Sequence, residues 1–110
     1  MKFTFFGDFV EESRQLLKSV GESRGHTCET PADVVFMMAY SRNIPLVQQA
    51  IKLRIGPKPL LLLRAIQPRW EEERAFWRTR RVRDIVNLPY DKDATEKLFA
   101  ALEAGDTSSL

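Results

Sequence analysis

The chain has 110 residues, 44% hydrophobic and 29% charged, with a formal net charge of +2. That is enough for one domain with its own core, and the composition excludes a disordered or collagen-like chain. A single cysteine, Cys28, excludes a disulfide scaffold, and no apolar run approaches the roughly 20 residues that span a bilayer. The opening Met1–Phe6 run stops at Gly7-Asp8, too short for a signal-peptide core, so a cytoplasmic protein is expected.

Residues 2–6, rich in Phe and Thr, read as a buried strand ended by Gly7-Asp8. Phe9, Val10, Leu16, Leu17 and Val20 mark one face of a helix that Gly21 closes, with Asp8 as its cap. His26–Cys28 is a short strand candidate. Asp33–Ala39 is a continuous apolar run after its first residue, as in a strand covered on both faces. Pro45 sits at the first turn of a helix carrying Leu46, Val47, Ala50 and Ile51, and Gly56-Pro57 stops it. Leu60–Leu63 is another buried strand, and Pro68 opens a helix from Arg69 to about Arg80. Asp84–Leu88 is a fifth strand broken by Pro89. Asp93-Ala-Thr-Glu96 reads as a capping box for a last helix with Leu98, Phe99 and Leu102 inside.

Strands that alternate with helices predict a parallel sheet. The expected fold is an α/β/α sandwich with a five-stranded, mainly parallel sheet, one domain over residues 1–105 and a loose tail over 106–110.

Three local patterns, in this order and spacing, resemble the receiver domain of bacterial response regulators across residues 2–104. Phe5-Phe6-Gly7-Asp8 stands where receivers end their first strand in an acidic pair. Asp33-Val-Val-Phe-Met-Met38 resembles the run leading to the phosphoacceptor aspartate. Asp84-Ile-Val-Asn-Leu-Pro-Tyr90 resembles the strand ending in the Lys-Pro-Phe signature. The resemblance implies a flavodoxin-like strand order 2-1-3-4-5, with the helix between strands two and three missing. It also implies lost chemistry. Met38 stands at the nucleophile, Gly7 at the first acid, Arg64 at the hydroxyl and Leu88 at the lysine. A thioether cannot accept a phosphoryl group, so the expectation is a pseudo-receiver without the phosphorylation switch.

The segment Arg64–Arg83 holds seven arginines and three glutamates, a local excess of +4. Within it, Trp77, Arg78, Arg80, Arg81 and Arg83 are the candidate partner-binding residues, because Trp and Arg are favoured interface types. The bland alternative is that Trp70 and Trp77, seven apart on nearly one helical face, simply cover the sheet. The expected partner is a protein with an acidic surface, or a second copy docking through residues 70–104, which in receivers is the usual partner face. Glu71–Glu73 interrupt the basic run and no nucleic-acid motif is present, so nucleic acid is not expected.

A second reading places a small anion or nucleotide at the carboxyl ends of the strands, near Asp8, Ser41, Arg64 and Asn87. No phosphate-cradling glycine motif supports it. His26, Cys28 and Glu29 lack a second ligand cluster for a metal, and His26 has no partner for nucleophilic catalysis. Phe5-Phe6-Gly7 and Ala39-Tyr40-Ser41 faintly resemble the formyltransferase-type Rossmann domain, but the histidine that family requires is misplaced. No enzyme activity, metal or cofactor is expected.

Overall fold

The computed structural model describes residues 1–39, 48–49, 60–64, 70–80 and 82–110. The elements are β1 (Lys2–Phe6), α1 (Glu11–Ser23), β2 (Thr27–Cys28), β3 (Val34–Met38), β4 (Leu60–Arg64), α2 (Trp70–Arg78), β5 (Val82–Asn87) and α3 (Lys92–Ala104). The helix expected from Pro45 lies outside the described residues, apart from Gln48 and Gln49, which are helical and exposed. Among the described residues no helix is long and apolar enough to cross a membrane.

The five strands form one sheet in the order β2-β1-β3-β4-β5, and every pairing is parallel. This is a flavodoxin-like α/β fold. Residues 29–33 run directly from β2 to β3 without a helix. Strand alternation then divides the core. Phe3, Val34, Phe36, Met38, Leu61, Leu63, Val86 and Leu88 face α1 and α3, meeting Leu17, Val20, Leu98, Phe99 and Leu102. Val35, Met37, Leu62 and Ile85 face the other way, against Trp77 of α2.

Several element ends differ from the sequence expectation for local reasons. Phe9 is held by the Phe5 ring, centroids 5.2 Å apart, and Val10 remains extended (φ −63°, ψ 129°), so α1 starts at Glu11. Val10 is its cap position and Asp8 makes no cap bond. Gly21 does not close α1 but lies buried within it: a Cβ there would stand 2.7 Å from Phe3 Cε1 and 2.8 Å from Phe99 Cζ. The turn falls instead at Gly25, with φ +87°. The cap of α3 is Asp91 rather than Asp93; its side chain accepts from the Ala94 amide at 2.7 Å. α3 ends at Gly105 (φ 75°), with Asp106 N–H donating to Ala101 O and Gly105 N–H to Leu102 O, a Schellman end.

The segment 106–110, expected to be loose, is docked on the domain. Thr107 is buried, and the partly buried Leu110 packs against the α1/α3-side core.

Candidate functional site

At the carboxyl end of the sheet, Gly7 (φ +81°) turns the chain out of β1 and leaves Asp8 exposed. Arg64 ends β4 and is in register with the exposed Asn87 of β5. Asp8 follows β1, the strand two places from β4 in the order and roughly 10 Å away across the sheet. Ser41 lies outside the described residues. The Arg64 side chain is mostly buried, and its Nη1 is 3.3 Å from Glu73 Oε2, which also accepts from Trp77 Nε1–H at 3.2 Å. The expected anion site is thus only partly assembled, and its one cation already faces a carboxylate. Met38 and Leu88, at the receiver nucleophile and lysine positions, are 8% and 6% exposed and share one core cluster.

The candidate partner residues separate into different roles. Trp77 is 1% exposed and packs among Val35, Leu62, Val82 and Ile85, so the covering role holds and it cannot anchor a partner. Arg81 lies outside the described residues. Arg80 is exposed; its guanidinium sits 3.8 Å over the Phe76 ring centroid and donates to Phe76 O at 2.8 Å. Arg83, half-buried, has its pKa lowered by burial, against the pull of nearby Asp33.

Arg78 is directed at a group that the sequence reading passed over. Asp84, on β5, is 0% exposed. Arg74 donates to it through Nε (3.2 Å) and Nη2 (2.9 Å), and Arg78 through Nε (3.2 Å) and Nη2 (2.8 Å). Thr107 Oγ1 and the Ile85 amide each donate at 2.8 Å. Burial alone would raise the Asp84 pKa, but these donors outweigh it and hold it at about 2. The legible signal was a pair of arginines at i and i+4 on one helix face, followed by an aspartate inside an apolar strand, where Asp is disfavoured. Beside this hub a cleft of about 420 Å³ is lined by Arg78, Arg83, Asp84 and residues 105–108.

At the opposite end of β5, Tyr90 is 71% exposed. It borders a mainly apolar groove of about 300 Å³ with Leu88, Pro89, Ala94, Leu98 and Leu110, and with Asn87, Asp91 and Lys97 on the rim. A further surface cluster joins α1 to α3: Arg24 pairs with Glu96 and Glu103, and His26 Nε2 lies 2.7 Å from Glu103 Oε2. Those partners hold the Glu103 pKa at about 2. Among the described residues no group of three or more His, Cys, Asp or Glu could hold a metal ion.

No protein-family model, no curated protein and no solved structure matches this chain.

Proposed function

We propose that the domain is a non-catalytic protein-interaction module: a pseudo-receiver, independent of phosphorylation, that docks on a partner or a second copy through the face built by residues 70–104. The observation that carries this reading is Tyr90, 71% exposed beside an apolar groove at one end of β5. An accessible aromatic over an apolar depression is the kind of anchor on which interfaces concentrate their energy. Arg80 is exposed at the helix end leading into the other end of the same six-residue strand. The two lie roughly 20 Å apart along the strand, within the footprint of about 800 Å² that one partner covers. An acidic partner surface suits the arginine end.

The buried Met38 and Leu88 support the phosphorylation-independent part, because a phosphoacceptor must be an accessible carboxylate. The alternative, a small anion at the carboxyl ends of the strands, is the weaker reading, since the anion would have to displace Glu73 from Arg64.

The test is affinity capture from source cells with wild type, Tyr90→Ala and Arg80→Glu, at low and high salt. We expect one protein that wild type retains, that both variants lose and that salt weakens. Equal capture by all three chains would place docking elsewhere. Stable phosphate uptake from acetyl phosphate with Mg²⁺ would overturn the phosphorylation-independent part.

A further inference from the structure

The segment after α3 is built into the domain by specific contacts. Thr107 Oγ1 donates to Asp84 Oδ2 at 2.8 Å, and Arg74 Nη2 donates to the Thr107 carbonyl at 2.9 Å. Arg74 Nη1 also donates to the Leu110 carbonyl at 3.3 Å. A turn closes the segment, with Leu110 N–H donating to Thr107 O at 3.1 Å. That turn sends the Leu110 side chain onto the α1/α3-side core, where it forms one wall of the groove beside Tyr90. Ser108 and Ser109, between the two anchors, are exposed.

These contacts read one hydroxyl, two carbonyls and one apolar side chain three residues further on. All of them are available to any segment of that chemistry, whether it belongs to this chain or to another. The groove also keeps about 300 Å³ open beside Leu110, room for an apolar side chain larger than leucine.

We infer that the slot between Arg74, Asp84 and the Tyr90 loop is a recognition site for a protein segment carrying Thr or Ser followed three residues later by an apolar residue, and that residues 107–110 occupy it in cis as a displaceable strap. The inference deepens the interaction reading by naming the partner's chemistry and a form of self-occlusion, and it does not depend on Arg80. The strap lowers the fraction of chains able to bind, so the apparent affinity for a partner falls by that fraction. Loosening the strap raises it.

The test uses the full chain and a fluorescent, carboxy-amidated Gly-Asp-Thr-Ser-Ser-Leu peptide, followed by polarisation. Thr107→Val keeps the side-chain shape and removes the donor to a charged acceptor, which weakens the strap about tenfold. We expect this variant to bind the peptide about tenfold tighter than wild type, and to ignore a peptide carrying Val in place of Thr. Leu110→Ala loosens the other anchor and serves the same purpose should Thr107→Val not fold. Equal affinity of wild type and folded variant, or equal binding of the Thr and Val peptides, would overturn the slot. Either result leaves the capture experiment with Tyr90→Ala and Arg80→Glu to judge the interaction reading separately.

Discussion

Arg74 and Asp84 meet as a fork: Nε to Oδ1 at 3.2 Å and Nη2 to Oδ2 at 2.9 Å, with the carboxylate wholly out of water. Arg78, one turn further along α2, closes on the same two oxygens. A buried carboxylate is tolerable only when its charge and lone pairs are met, and here four groups meet them.

Removing that charge takes the anionic acceptor from two guanidinium groups, one of them buried with the carboxylate. Asp84→Asn should therefore lower unfolding stability by about 3–5 kcal/mol, the cost of breaking a buried pair from one side. Urea denaturation followed by circular dichroism measures it. A loss under about 1 kcal/mol would mean the hub contributes little.

The same residue sets an acid limit. Its pKa is held at about 2 in the folded chain, below the value of about 3.9 expected when unfolded. A depressed folded value contributes stability above the unfolded pKa and loses it as pH falls through the folded one. Melting temperature should therefore drop between about pH 4 and pH 2. In Asp84→Asn the fall should be shallower, with Glu103, also held at about 2, supplying part of the remainder. Parallel curves for the two chains would remove Asp84 from the acid response.

Trp77 distinguishes core from interface. Trp77→Ala should cost about 3–5 kcal/mol through the cavity it opens. Trp77→Phe keeps most of the packing but loses the bond to Glu73, so it should unfold more easily than wild type yet capture the same partner. Loss of the partner by a folded Trp77→Phe chain would return the residue to the interface.

Gly21 reports on how closely α1 lies over the sheet. Alanine is favoured over glycine inside a helix by about 1 kcal/mol. Here its Cβ would meet the Phe3 and Phe99 rings at 2.7–2.8 Å, and these rings already pack edge to face with centroids 5.6 Å apart. Overpacking costs about 1–3 kcal/mol, so Gly21→Ala should be net destabilising in thermal unfolding. A stabilised variant would show that the rings yield.

The parallel sheet was legible because apolar runs such as Val34–Met38 and Leu60–Leu63 need cover on both faces, whereas the order 2-1-3-4-5 came only from the receiver likeness. Strand ends were less legible. β5 begins at Val82 rather than Asp84, because a charged Arg83-Asp84 pair looks like a boundary until Arg74 and Arg78 are seen to meet the aspartate. Trp77 was ambiguous for a different reason: helical spacing says which residues share a face but not whether that face meets the sheet or water. The docking of Thr107 had no signal in its polar neighbourhood, since its acceptor lies 23 residues earlier. Tyr90 was read only as part of a family signature, and its exposure depends on how the β5–α3 turn projects.

The strand written first in the sequence stands inside the sheet, between β2 and β3. During synthesis, β1 must wait for Thr27–Cys28 on one side and for Val34–Met38 on the other before either flank is paired. For that interval Phe3, Phe5 and Phe6 have no sheet to enter, so the burial of this stretch depends on prompt elongation of the residues that follow it.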